Sequence, residues 1–338
     1  MTESIKPATE LAPDYYLHNF RFMVDWVWNR YADLLTAQEQ EFIQAFHQIN
    51  HDAQCLLVRL SSRKGPLFRF DKLDYPEIAS IALSAQTLIT HDLLSNDALI
   101  SLQELTNVLT KPELLQLFGE DLKGLKQARK EVLIEALAEK FNSTQTWAAW
   151  TNHQLGDAYY LRNQSIISTL LLLFFGNAHQ DLTEFVLQDL GLFRYENYTI
   201  DPLHRTFNSR EEIETYQQLV KLRDDVEAAS SIDDLFNIAE QIPPPIEHEK
   251  LQRRRAKLFN HIAYELERLS EHGLAFQLYQ QSHLPPSRER QVRLLEKQAR
   301  YSEAWNLLND LIDAPLNEHE LQIAQRMAPR IAKKLGNL

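Results

Sequence analysis

At 338 residues and 39.5 kDa the chain has room for two or three domains of about 100 to 200 residues each. Thirty-five basic against 47 acidic side chains give a formal net charge of -12, which argues against coating nucleic acid through bulk positive charge and leaves any polyanion site local. Eight glycines and 44% apolar residues imply few tight turns, many helices and a packed core, and the single cysteine, Cys55, excludes disulfide frameworks and multi-thiolate zinc sites.

The start, MTESIKPATELAPDYY, has neither a basic stretch nor an apolar one, so a cytosolic chain is expected. Tyr16, Phe20, Met23, Val24, Val27 and Tyr31 recur at three- and four-residue spacing and predict a helix over 15–35. Thr36 with Glu39 makes a capping box for a second helix carrying Phe42, Ile43, Phe46 and Ile49. A third helix is expected from about Asp52 to Lys64, where Gly65-Pro66 forbids continuation. Leu67 to Phe70 then alternates apolar and basic residues, as a short strand or the first arm of a hairpin does. Three helices followed by a strand suggest a winged-helix-like arrangement.

Short helices should follow from Tyr75 to Leu105. Next comes a helix with Pro112 in its first turn, Leu114 to Phe118 as its apolar stripe and Gly119 at its end. A basic connector leads to another helix over about 128–141. From Trp147 to Thr206 the pattern mixes the Tyr159-Tyr160 pair, the apolar run Ile166 to Phe175 and the strand-like FRYENYTI (193–200). That run of ten residues is far shorter than the roughly 20 a membrane span needs. Beyond Ser209 helical stripes are interrupted at Pro243-Pro244-Pro245, Pro285-Pro286 and Pro315. HGLAFQLYQQS and YSEAWNLLNDL place small residues and aromatics as tetratricopeptide-like helix pairs do. The expected architecture is mainly α: a winged-helix-like domain with a small β hairpin (1–105), a compact helical module (106–145), a linking framework (146–210) and a helical-repeat domain (211–338).

Four windows lack acidic residues. They hold Arg59, Arg63, Lys64 and Arg69; Lys123, Lys126, Arg129 and Lys130; Lys250, Arg253, Arg254, Arg255 and Lys257; and Arg326, Arg330, Lys333 and Lys334. Such clusters suit phosphate, because each neutralised phosphate releases counterions and arginine grips two oxygens at once. The plain alternative is a solvated face, or a helix C-terminus whose dipole favours cations. Arg253 to Arg255 could equally pair with Glu247 and Glu249. Catalytic signatures fail: His47 and His51 have zinc-pair spacing without the glutamate of a metalloprotease, and Gly119 to Gly124 lacks the lysine and hydroxyl of a phosphate loop.

YYLHNF (15–20), LLVRLSSRKGPLFRF (56–70), KLDYPEI (72–78), FGEDLKGLKQARKEVLIEAL (118–137) and LYQQSHLPPSRERQVRLLEKQARYSEAWNLLNDL (278–311) resemble, in order and over nearly the whole chain, the Fanconi-associated nuclease family in its bacterial form. The resemblance implies a winged-helix-like DNA-binding domain, a SAP-like module, a tetratricopeptide-like domain and a VRR-NUC nuclease domain that cuts near 5'-flaps in interstrand crosslink repair with Mg2+ or Mn2+. It assigns phosphate contacts to Arg59, Arg63 and Lys64 and the SAP connector to Lys123, Lys126, Arg129 and Lys130, and it puts Tyr15 or Tyr16 near DNA. Arg69 joins this set from its window.

The family's PD-(D/E)xK core is not matched: Glu-x-Lys occurs nowhere, and Asp121-Leu122-Lys123 has no partner carboxylate on a preceding strand. The expectation is therefore the DNA-recognition portion of a structure-specific 5'-flap nuclease without its catalytic domain. It should be inactive alone, with no catalytic residue and no metal or cofactor of its own, since Mg2+ or Mn2+ belongs to the nuclease domain. Expected partners are branched or 5'-flap double-stranded DNA and a nuclease domain on a separate chain, with no membrane, in a cytoplasmic, nucleoid-associated setting. The alternative is a helical-repeat scaffold for another protein, without DNA binding.

Overall fold

The structure is a computed structural model that describes residues 12–182 and 205–336. Helix α1 (Tyr15–Tyr31) buries the expected stripe of Tyr16, Phe20, Met23, Val24, Val27 and Tyr31, with Leu17 added. Helix α2 (Ala37–Gln48) starts at the Thr36/Glu39 capping box, in which the Thr36 hydroxyl accepts from Glu39 N (3.3 Å) and Thr36 N donates to the Glu39 carboxylate (2.8 Å). Helix α3 (His51–Ser61) begins at Asn50, whose side chain accepts from Ala53 N (2.9 Å).

Strand β1 (Leu67–Arg69) lies where the alternation put it. Its partner is not the second arm of a local hairpin. It pairs antiparallel with β5 (Ala158–Leu161), in the register Leu67 to Tyr160 and Arg69 to Ala158, and β5 also pairs with β2 (Leu94–Ser95). The physical reason lies in β5 itself, whose Tyr159-Tyr160 pair is flanked by buried Ala158 and Leu161. It is the central strand, and it arrives some 90 residues after β1. Between them come α4 (Ile81–Thr90), the small ladder of β3 (Leu99–Ile100) with β4 (Gln145–Thr146), and helices α5 (Leu102–Val108), α6 (Lys111–Leu117), α7 (Lys130–Ala138) and α8 (Trp147–Thr151).

The module of α5 to α8 has its own core of Leu105, Leu114, Leu122, Leu133, Leu137, Trp147 and Trp150. Both indoles are anchored as buried N–H groups require: Trp150 donates to Ile100 O (3.0 Å) and Trp147 to Gly156 O (2.7 Å). The most apolar run forms α9 (Gln164–Phe175), stopped by Gly176 at φ +69°. It packs on α1, with Phe174 edge-on to Trp26 at 5.1 Å. FRYENYTI falls outside the described residues.

The described residues divide into two compact units between Thr206 and Phe207. The second comprises α10 (Arg210–Ala228), α11 (Ile232–Glu240), α12 (Glu249–Arg268), α13 (His272–Gln280), α14 (Ser287–Lys297), α15 (Tyr301–Asp313) and α16 (Glu318–Leu335). The proline clusters fall between helices, as expected. Ala275 and Tyr279 of the first repeat phrase, and Ala304 and Leu308 of the second, are buried where neighbouring helices meet. Ion pairs stitch the helices: Arg288 to buried Glu320 (2.6 Å), and Arg290 (2.8 Å) and Lys297 (3.2 Å) to buried Glu267. Among the described residues no helix is long and apolar enough to cross a membrane.

Candidate nucleic-acid interface

The first basic window sits at the end of α3. The Ser61 and Ser62 hydroxyls donate back to Leu57 O (2.7 Å) and Val58 O (2.9 Å), and the helix closes at Ser61, before Gly65-Pro66. Arg63 and Lys64 therefore leave the helix end and stand exposed. Gly65 is needed for close approach, since a Cβ there would lie 2.2 Å from the ring of Phe68, itself only 5% exposed. Arg63 Nη1 donates to the Tyr75 hydroxyl (2.9 Å), and its guanidinium lies 5.9 Å from the Phe68 centroid. These contacts aim the side chain and leave its charge unneutralised.

Arg59 is used differently. Its Nε donates to Glu77 Oε1 (2.7 Å), its Nη2 lies 2.6 Å from the same oxygen, and its guanidinium stacks 4.1 Å above the Tyr16 ring. Tyr16 donates its hydroxyl to that oxygen as well (2.7 Å). Burial acts to raise the Glu77 carboxyl, but the hydrogen bonds from Tyr16 and Arg59 outweigh it and hold the group below the ordinary carboxylate range. Burial, then the bond to Glu77, pushes the Tyr16 phenol up. Arg59, Tyr16 and Glu77 thus form a closed cluster fastening the segment after β1 to α1 and α3. Tyr15 is half-buried, edge-on to Tyr16 at 5.8 Å.

Arg69 does not join the exposed set. Its side chain is 7% exposed and gripped by Asp71 (3.0 and 2.8 Å) and Glu113 (2.6 Å). β1 directs it inward, onto the N-terminus of α6, where Glu113 also accepts from Thr110 N (2.8 Å). Burial raises the Glu113 carboxyl, yet the Thr110 backbone bond and the Arg69 guanidinium bring it down to about 2. Arg69 is a joint between β1 and the helical module.

In the second window Gly124, at φ +86°, turns the chain between Lys123 and Lys126. Lys123, Lys126 and Arg129 are exposed, with Lys123 paired at the surface to exposed Glu120 (2.5 Å). Lys130 turns back and donates to Thr106 O (2.7 Å), tying α7 to α5. Among the described residues Lys64, Lys126 and Arg129 make no ion pair. In the later windows Arg254 stacks on Tyr216 (4.3 Å) and Arg255 donates to Pro243 O (2.8 Å), not to Glu247 or Glu249. Arg330 (2.6 Å) and Lys334 (3.4 Å) hold Glu296.

The sequence alone did not single out Tyr75, Glu77 or Glu113 for a role. The signal for Glu113 was present, because Thr110-Lys-Pro-Glu113 is a capping-box pattern; for Glu77 there was none, since its partners lie 18 and 61 residues away. His47 faces Asp25 (3.3 Å) and His51 faces Asp14 (2.9 Å). Among the described residues no three His, Cys, Asp or Glu side chains converge to hold a metal ion. The described residues therefore offer no donor set that fits the Mg2+ or Mn2+ implied by the resemblance.

Residues 14–95 match the family description "FAN1, HTH domain" and residues 99–150 match "Fanconi anemia-associated nuclease SAP domain". The Fanconi-associated nuclease 1 homolog of Pseudomonas aeruginosa is 37% identical over 324 residues, which is 96% of this chain and 57% of that protein. The chain belongs to the Fanconi-associated nuclease family. The Arabidopsis thaliana homolog of Fanconi-associated nuclease 1 is 28% identical over 61% of the chain and 24% of its own length. A crystal structure of paFAN1 bound to DNA with a two-nucleotide 5' flap and a gap superimposes with a TM-score of 0.90 at 36% identity. It covers 98% of this chain and 60% of that one. The chain therefore spans somewhat more than half the length of these bacterial relatives of the Fanconi-associated nuclease family.

Proposed function

We propose that the chain recognises branched duplex DNA, of the 5'-flap type, within a structure-specific nuclease of interstrand crosslink repair. The observation that carries this reading is the likeness, over almost the whole chain, to a relative of the same family solved on 5'-flap DNA. On this reading the exposed cations Arg63, Lys64, Lys123, Lys126 and Arg129 supply phosphate contacts, and half-buried Tyr15 is the aromatic assigned to lie near the DNA. Arg59 and Lys130 hold the contacting segments in place. Metal-dependent cleavage with Mg2+ or Mn2+ is proposed for the nuclease function as a whole, with no step assigned to side chains described here.

Titration with 5'-flap duplex at several salt concentrations tests this. Replacing Arg63, Lys64, Lys126 and Arg129 with alanine should flatten the slope of log affinity against log salt by about 3 to 4, at roughly 0.9 per phosphate contact. Unchanged affinity and slope in that variant would falsify the assignment.

A further inference from the structure

The exposed face of α12 bears a stripe that the duplex contacts leave unused. At about 100° per residue, Lys250, Arg253, Lys257, His261 and Tyr264 fall within one narrow arc, opposite buried Leu251, Leu258, Ile262 and Leu266. Lys250, Arg253, Lys257 and Tyr264 are exposed, and Tyr264 keeps 47% of its surface open although it is a large aromatic. Arg290 lies 5.5 Å over the Tyr264 ring. Most arginines of the same unit are neutralised, although Arg254 and Arg255 of this helix are held by a ring and a backbone carbonyl instead. In the same unit Arg268, Arg288, Arg290, Arg293, Arg300 and Arg330 each hold a carboxylate. Among the described residues Lys250, Arg253 and Lys257 hold none.

In a chain of net charge -12, three exposed cations without a carboxylate partner on one helix face leave a local positive track, where a polyanion gains by releasing its own counterions. Their spacing, with an aromatic in line, suits one class of polyanion best. A basic track binds a phosphate backbone, and an open aromatic face stacks an unpaired base, which a base-paired duplex keeps in its own stack. An acidic peptide would satisfy the cations and leave the tyrosine ring without a partner of its own kind. We infer that the Lys250–Arg253–Lys257–Tyr264 stripe binds single-stranded DNA, along about 21 Å at roughly 1.5 Å per residue. This rests on the proposed flap recognition only for the source of the strand, the unpaired arm.

The test uses the full chain with three probes: oligo-dT, a nicked duplex carrying a long oligo-dT flap, and the same nicked duplex without the flap. In K250Q/R253Q/K257Q, oligo-dT binding should lose about 2 from its salt slope, at roughly 0.7 per single-strand phosphate. Affinity for the flapped duplex should drop to that for the flapless one. Y264A should weaken oligo-dT about tenfold, and photocrosslinking of iodouracil-substituted oligo-dT should label Tyr264. K250R/R253K/K257R should restore the wild-type slope, which separates charge from loss of fold. Oligo-dT binding unaltered in both the charge and tyrosine variants overturns the inference, as does a stripe that takes poly-glutamate in preference to oligo-dT. Loss of flapless-duplex binding in the Arg63 and Lys64 variants, with the oligo-dT arm intact, bears on the duplex reading alone.

Discussion

Arg59 and Arg63 are four residues apart on paper and opposite in use. Arg59 is consumed by Glu77 and Tyr16, while Arg63 is steered by Tyr75 and stays charged at the surface. Arg59→Ala should therefore destabilise the first unit by about 1 to 3 kcal/mol, because it leaves Glu77 with a single strong donor and uncovers the Tyr16 ring. Arg63→Ala should stay within about 0.5 kcal/mol of wild type and weaken DNA binding instead. Urea melts alongside DNA titrations separate the two, and an Arg63→Ala chain as unstable as Arg59→Ala would contradict the division. The residue types were legible in the sequence. Their roles were not, because a guanidinium's role is set by a partner that folding brings to it, and Glu113 reaches Arg69 from 44 residues away.

That second pair gives the first unit an acid dependence with a definite sign. Glu113 is held at about 2, below its ordinary 4.5, so its folded-state value is depressed. Such a group contributes stability that is fully present above the ordinary value and is lost as pH falls from about 4.5 toward 2. The side chains are 7% and 19% exposed, so solvent screening is limited and the contribution is on the order of 2 to 3 kcal/mol. Replacing Glu113 with Gln should lower stability at neutral pH and flatten its decline over that acid window. Parallel pH curves for the two chains would show that the pair contributes nothing.

At the scale of elements, helices were legible because their signals are local. The stripe of α1, the Thr36/Glu39 box and the Gly-Pro stop after α3 each lie within one stretch of chain. The strands were not: β1 and β2 meet only on β5, and no local pattern in Tyr159-Tyr160 names either partner. The turn between α3 and β1 shows how one element serves the interface. A Cβ at Gly65 would collide with the Phe68 ring, which is buried and cannot swing aside. Gly65→Ala should cost about 1 to 3 kcal/mol through overpacking and displace Arg63 and Lys64 together. DNA affinity should fall although no cation has been removed. An alanine variant with wild-type stability and affinity would mean that the turn has slack.

The whole molecule reconciles an acidic chain with the proposed polyanion contact by local pairing. Arginines that brace helices are matched to carboxylates, as Arg288 is to Glu320 and Arg330 to Glu296. Among the described residues, most cations left exposed without an ion pair, such as Lys64, Lys126, Arg129 and Lys257, fall in the short basic windows. Composition could report only the sum. The division into two units has an optical consequence. Of the five tryptophans, Trp26, Trp28, Trp147 and Trp150 lie before Phe207 and Trp305 alone lies after it. Each unit has its own buried core, one around Leu133, Trp147 and Trp150 and the other around Leu295, Leu308 and Met327. Two cores need not melt together, and cooperativity across them is not implied by either. Tryptophan emission should then follow mainly the first unit, whereas far-ultraviolet circular dichroism follows helices in both. In a urea titration the two signals should give different midpoints, and Glu113→Gln in mild acid should move the emission midpoint while leaving the second unit's share of the dichroism curve in place. Coincident curves that shift together would instead mean one cooperative molecule, with the pair at Arg69 felt throughout.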